Sequence, residues 1–382
     1  MPENAIPSAG PLGLYLHVPF CEAICNYCNF NRELVRADLE RRYLAAMARE
    51  IESAGDGGRA DSVFFGGGPP SVLDPADVRT LIARCASSFA LDPAAEITLE
   101  ANPETASRPR LEGYRAAGVT RLSLGVQSFR DAELHRLGRV HTAARAIEAF
   151  ESARAAGFDD VSVDLMVWLP EQTPEDWGET LDVLLQLDPG HVSFYLLELY
   201  PNAPLREDMA RGGWTQAPDD VAAEMYDAAL DRLEAAGYRQ YEISNAARPG
   251  RRCRHNLKYW SDGAWVGFGC GAHSTRDGRR WRNVSETVSY VERVANGTST
   301  VAHQRVLSKE EQATDALFLG LRLTEGVDVP AVERRYGIRV WERWDAELAR
   351  CVEAGLLEDD RKRLRLTRKG RLLASEVMQV FV

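Results

Sequence analysis

Three cysteines, Cys21, Cys25 and Cys28, form a Cys-x3-Cys-x2-Cys array just after a short apolar run, Leu14 to Val18. Thiolates are the ligands that iron–sulfur clusters require, and three packed this closely can hold three irons of a four-iron cube. Position 30 is Phe30, so no cysteine stands near for the fourth iron. That iron is left open to an external chelate, such as the amino and carboxylate groups of an amino acid. Two plainer chemistries compete. A structural zinc site takes four ligands, usually in two separated pairs, and no second pair follows. Cys25 and Cys28 alone have the spacing of a redox dithiol, which leaves Cys21 spare.

The array resembles that of the radical S-adenosylmethionine (SAM) enzymes, in which the open iron chelates the methionine part of SAM. His17-Val18-Pro19-Phe20 in front of it is similar to the porphyrin branch of that superfamily. This branch holds the anaerobic coproporphyrinogen oxidase and the HemW-type haem chaperones. The oxidase has a further cysteine two residues after the third; with Phe30 there, the chain is similar to the HemW type.

Elements of alternating type must carry such a loop. Leu14–Val18, Ser62–Phe65, Glu96–Glu100, Arg121–Gly125, Val161–Val167 and His191–Leu197 read as strands. Helical patterns lie between them at 37–53, 75–89, 108–117, 143–156 and 174–187, and another follows at 219–236. Strict β-then-α order predicts a parallel sheet with helices outside. Six units are too few for a closed eight-stranded barrel, so the fold class expected is α/β, a partial open (β/α)6 TIM-type barrel; the resemblance implies the same. In parallel barrels chemistry sits where strands end and loops begin, and there the cysteines, Gly66-Gly67-Gly68 and several carboxylates fall. Residues 1–11 are expected to be a flexible N-terminus, 12–245 the barrel and 246–305 a connecting segment. Residues 306–382, with amphipathic stretches at 327–336, 341–354 and 370–377 and a strand at 363–367, are expected to form a small α+β, winged-helix-like domain.

The glycine triplet permits close approach of backbone to a ligand, or is simply a flexible turn. Pro69-Pro70 follows, where the family continues Thr-Pro; proline removes an N–H. Glu100 ends the third strand, Gln127 and Arg139 follow the fourth, and Asp164 sits within the fifth. Acids there can accept from ribose hydroxyls and an arginine can grip a carboxylate; ion pairs capping the sheet are the alternative. The resemblance implies that Gly67, Gly68, Glu100, Gln127, Arg139 and Asp164, with Tyr15, hold SAM, and that Tyr27 flanks the adenine.

His255-Asn256-Leu257-Lys258-Tyr259-Trp260 fits His-Asn-x-x-Tyr-Trp, a pattern similar to that of HemW proteins. An imidazole can ligate haem iron, and Tyr and Trp can stack on a macrocycle. His255, Tyr259 and Trp260 are therefore the candidate haem residues, with Arg251, Arg252 and Arg254 available to propionates and Cys253 as another ligand. A structural aromatic hinge is the alternative. Gly267-Phe268-Gly269-Cys270-Gly271 lacks the context of a dinucleotide site and is expected to wall the SAM pocket. Cys85 and Cys351 read as core residues.

The net charge of −11 argues against a general nucleic-acid binder. Seven cysteines, three of them clustered, fit a reducing compartment, and no apolar run reaches the ~18 residues that cross a bilayer. A cytoplasmic protein is expected, with peripheral membrane association left open. The resemblance implies a [4Fe–4S] cluster, SAM and haem as cargo, with acceptor haemoproteins, respiratory and membrane-associated ones among them, as partners. It is compatible with a homodimer, and with a reductant such as flavodoxin where SAM is cleaved. Haem chaperone is the leading function. Alternatives are an oxygen-independent coproporphyrinogen III oxidase working through a 5′-deoxyadenosyl radical, a radical SAM methyltransferase of the same branch, and a cluster-bearing module that does no chemistry; whether the chain is an enzyme stays open.

Overall fold

Six parallel strands form where the alternation places them. They are β1 (Leu12–Val18), β2 (Arg59–Gly67), β3 (Ala90–Ala101), β4 (Arg121–Gln127), β5 (Asp160–Val167) and β6 (His191–Leu196), each paired in parallel with the next. The computed structural model describes residues 10–382; the expectation for residues 1–11 lies outside them apart from Gly10 and Pro11.

Successive side chains of a strand point to opposite faces, and here the two faces differ in chemistry. Leu14, Leu16 and Val18 of β1, Ile97, Leu99 and Ala101 of β3, and Leu122, Leu124 and Val126 of β4 belong to one buried apolar core. That core is shared with helices such as Ala37–Ala54 and Pro174–Leu187, whose Met47, Ile51, Trp177 and Leu181 pack there. The opposite parity carries Tyr15, Glu100, Ser123, Gln127, Ser162, Asp164, Ser193 and Tyr195, all facing one interior cavity. The outer face therefore holds the fold together, and the inner face is free to be polar.

The sheet does not close. At the β1 edge it continues through Trp265–Phe268, parallel, then antiparallel His273–Arg276, Arg279–Asn283 and Val301–Val306. At the β6 edge it ends in antiparallel Asn245–Ala247 and Arg239–Glu242. These added strands were not expected. Arg279–Asn283 reads Arg-Arg-Trp-Arg-Asn, a polar strand without apolar alternation that pairs on one side with His273–Arg276 and on the other with Val301–Val306.

The C-terminal segment packs Lys309–Gly320, Val329–Tyr336 and Val340–Glu353 against a small sheet ordered Val327–Asp328, Arg363–Leu366, Leu357–Asp359. Leu317, Tyr336, Trp344, Leu348 and Phe381 form its own core. Glu242, fully buried, pairs with Arg322 at 3.0 Å and ties this unit to the sheet. No helix among the described residues is long and apolar enough to cross a membrane.

Candidate functional site

β1 runs into Pro19 and the two-residue strand Phe20–Cys21, which pairs with Glu33–Leu34 and so closes the cysteine loop on itself. The Glu33 N–H donates to the Pro19 carbonyl at 2.8 Å and the Val35 N–H to that of Cys21 at 2.9 Å. From outside, the Asn26 amide donates to the Arg136 carbonyl at 2.9 Å and to Asp208 Oδ2 at 2.8 Å. The Asn31 amide donates to the Ser285 carbonyl at 2.9 Å. The loop is thus clamped on both flanks. Cys21, Cys25 and Cys28 are unbridged and line one cavity of about 390 Å3.

The donor set fits a cube better than a single ion. Among the described residues no three His, Cys, Asp or Glu side chains form a group that could hold one metal ion. A cube takes one thiolate per iron, so thiols spaced around a shared cavity suit it. Gly68 keeps that space open: a Cβ there would stand 2.6 Å from the Phe20 carbonyl oxygen and 3.0 Å from Cys21 Sγ. Burial pushes the Cys21 thiol up to about 12 and raises that of Cys28 as well. Bound iron is the charge that would bring out the thiolates.

Every residue expected to hold SAM lines this cavity: Tyr15, Tyr27, Gly67, Gly68, Glu100, Gln127, Arg139 and Asp164. Arg139 donates to Asn102 Oδ1 and the Gly125 carbonyl, each at 2.9 Å, and lies 3.4 Å from Cys25 Sγ. Glu100 accepts from the Gly67 N–H at 3.2 Å. Its carboxyl is pushed up to about 8, first by burial and then by Asp164, with the Gly67 N–H opposing. Burial also raises Asp164, against hydroxyls donated by Ser123 at 2.9 Å and Ser162 at 3.0 Å. Gln127 sits at φ 69, an unusual conformation for a side-chain-bearing residue, and accepts from Tyr195 at 2.9 Å. Two buried acids beside an arginine suit a ligand that carries both cationic centres and a carboxylate.

The sequence reading missed several lining residues, among them Asn102, Ser123, Ser193, Tyr195 and Asn245. Strand parity was the available signal for three of them: Ser193 and Tyr195 continue the inward face of β6, as Ser123 does that of β4. Asn102 is two residues beyond Glu100.

The His-Asn-x-x-Tyr-Trp segment is a helix, Arg254–Trp260, where only a connecting segment was expected. It seats His255 against the start of the strands, the end opposite to the cysteine loop. His255 is fully buried, with Nδ1 bonded to Ser62 Oγ at 2.9 Å and Nε2 to Tyr259 OH at 2.9 Å. Gly13 leaves room for its ring; a Cβ there would meet His255 Cε1 at 2.9 Å. Burial lowers the imidazole to about 3. In this structure both nitrogens of the candidate haem residue His255 are engaged within the fold. Arg322 stacks 4.4 Å from the Trp260 ring centre, Arg252 pairs with Glu325 at 2.7 Å, and Arg254 donates to the Ala94 carbonyl at 2.6 Å. Cys253 is fully buried, 3.5 Å from Glu96 Oε1. Tyr259 alone of the three candidate haem residues reaches the cavity, at its floor.

The open parallel barrel with its cysteine loop defines the class, and the comparisons agree. The profile of the Radical SAM superfamily matches residues 15–184 and that of the HemN C-terminal domain residues 307–373. This is a radical SAM protein, a class that implies a [4Fe–4S] cluster and SAM. Coproporphyrinogen III oxidase (HemN) from Escherichia coli has the same fold, with a TM-score of 0.86 at 24% identity, covering 97% of this chain and 90% of that one. The heme chaperone HemW of Mycobacterium tuberculosis is 39% identical over 389 residues, 100% of this chain and 97% of that protein. That of Bacillus subtilis is 36% identical over 374 residues, 96% and 98%. The chain belongs to the HemW family.

Proposed function

We propose that this protein is a haem chaperone of the HemW type, which carries a [4Fe–4S] cluster and SAM, takes up haem and passes it to acceptor haemoproteins. The observation that carries this reading is Phe30. It stands where the oxidase has a further cysteine, is 68% exposed, and lines the mouth of the cavity beside the three cysteines. An apolar ring suits contact with a macrocycle or a partner protein; it cannot serve as a ligand. Full-length likeness to proteins named heme chaperone HemW supports the same reading.

Cys21, Cys25 and Cys28 would hold the cluster. Arg139 would grip the SAM carboxylate, and Glu100 and Asp164 would accept from ribose hydroxyls and offset the sulfonium charge. Gly67 and Gly68 would admit the methionine backbone, with Gln127 closing one wall and Tyr15 and Tyr27 flanking the adenine. A reduced cluster held by these cysteines would supply an electron for reductive chemistry on SAM. The test is a haem titration of the anaerobically reconstituted protein, followed by absorption, beside a porphyrinogen turnover assay. Saturable binding near one haem per chain without turnover is the expected result. Turnover without specific haem binding would overturn the reading in favour of the oxidase.

A further inference from the structure

Arg32 stands on the cysteine loop just past Cys28, and the SAM pocket described above makes no use of it. It lines the same cavity as Cys21, Cys25 and Cys28. Its side chain makes one hydrogen bond among the described residues, from Nη2 to the Cys28 carbonyl. Nε is buried and has no partner there. Nor does any carboxylate of the described residues pair with it. Glu33, next in sequence, is turned to Arg36 at 3.0 Å.

A guanidinium taken partly out of water needs a counter-charge, and Arg32 is half-buried. The other arginines of the cavity face acids. Glu104 Oε2 stands 3.8 Å from Arg139, and Asp160 Oδ1 3.8 Å from Arg121. Arg32 faces thiols instead: its charge acts on Cys21 and Cys28, against the burial that raises both.

Three thiolates on a four-iron cube outweigh the cube's own charge, so the loaded site is anionic, and reduction makes it more so. Neighbouring charge and hydrogen bonds to sulfur set the potential of such a cluster. We propose that Arg32 is the counter-cation of the cluster held by Cys21, Cys25 and Cys28, and that its charge raises the cluster's reduction potential. The loaded site supplies the anion that the protein itself does not offer Arg32. The electron comes from an external one-electron donor; Arg32 makes its uptake easier. The inference rests on the cluster assignment and is independent of haem cargo.

The test is a redox titration of the cluster-loaded full chain, followed by the electron paramagnetic resonance of the reduced cluster. Wild type, Arg32→Gln and Arg32→Lys are compared, each with and without SAM. Glutamine keeps an N–H donor for the Cys28 carbonyl and removes the charge, whereas lysine keeps the charge. Arg32→Gln should load iron as the wild type does. At the wild-type midpoint its ratio of reduced to oxidised cluster should fall about tenfold, a shift of about 59 mV for one electron. Arg32→Lys should stay close to the wild type. A wild-type potential in Arg32→Gln would overturn the proposal, and so would an equal shift in both variants. A shift seen only with SAM bound would overturn it as well, by placing Arg32 on the SAM carboxylate. Failure of both variants to take up iron would make Arg32 a builder of the loop and remove the charge role. Failure of Arg32→Gln alone, beside wild-type loading and potential in Arg32→Lys, would support the counter-charge. A wild type that takes up no cluster would overturn the cluster assignment along with this role.

Discussion

Arg139 touches Cys25: its Nη1 lies 3.4 Å from the cysteine sulfur while its Nη2 reaches Asn102 Oδ1 and the Gly125 carbonyl. One guanidinium thus spans the cysteine loop, the end of β3 and the inner face of β4. Arg139→Lys keeps the charge but loses the fork that serves several acceptors at once. Losing one charge-assisted bond costs about 1.5–3 kcal/mol, so SAM affinity should fall about ten- to hundredfold. Equilibrium binding of SAM to the cluster-loaded variant measures it. Unchanged affinity would remove Arg139 from the SAM site.

Cys28→Ser should abolish cluster assembly, read as iron content and loss of the visible charge-transfer absorption after reconstitution. Cys351→Ser is the control. Cys351 packs against the C-terminal core, far from the cavity lining, and should load a full cluster. Equal loading in both variants would contradict the cluster assignment.

Much of this architecture was legible because two periodicities coincide. In β4, Leu122, Leu124 and Val126 alternate with Ser123, Gly125 and Gln127, and in β5, Val161, Val163 and Leu165 alternate with Ser162 and Asp164. One parity announces a helix-covered core and the other a polar interior. The cysteine spacing is local, and so survives without knowledge of the fold. His255 was not legible in the same way. Its type suggests a ligand, but its role depends on Ser62, 193 residues away in sequence, and on Tyr259. The added strands from 239 to 306 were hidden because polar sequences such as Arg-Arg-Trp-Arg-Asn carry no core-facing period.

Gly68→Ala tests the cradle. The added Cβ would meet the Phe20 carbonyl oxygen at 2.6 Å and Cys21 Sγ at 3.0 Å, so either the loop or the sulfur must shift. Overpacking of this kind costs about 1–3 kcal/mol, and cluster loading should drop severalfold. Gly178→Ala is the comparison, since its Cβ would meet nothing nearer than Arg232 at 3.9 Å within a helix. There alanine should be neutral or stabilising by up to about 1 kcal/mol. Chemical denaturation and iron content separate the two. Full loading in Gly68→Ala would mean the loop yields freely.

Glu100 makes stability depend on pH in a direction opposite to that of a salt-bridged acid. Burial first, and then Asp164, holds its folded-state carboxyl at about 8, against the ordinary value of 4.5. Between those values the native chain keeps a proton that the unfolded chain has lost. The stability contribution is therefore full below about pH 4.5 and is lost as pH rises toward 8, by about 1.4 kcal/mol per pH unit. Glu100→Gln cannot ionise, so its stability should fall less steeply across that window. Asp164, raised by burial in the same sense, leaves a residual slope. Denaturant unfolding of both proteins without cluster or SAM, at several pH values from 5 to 8, measures the difference. Parallel curves for the two would mean that Glu100 is ionised in the fold, with water or Arg121 offsetting its burial.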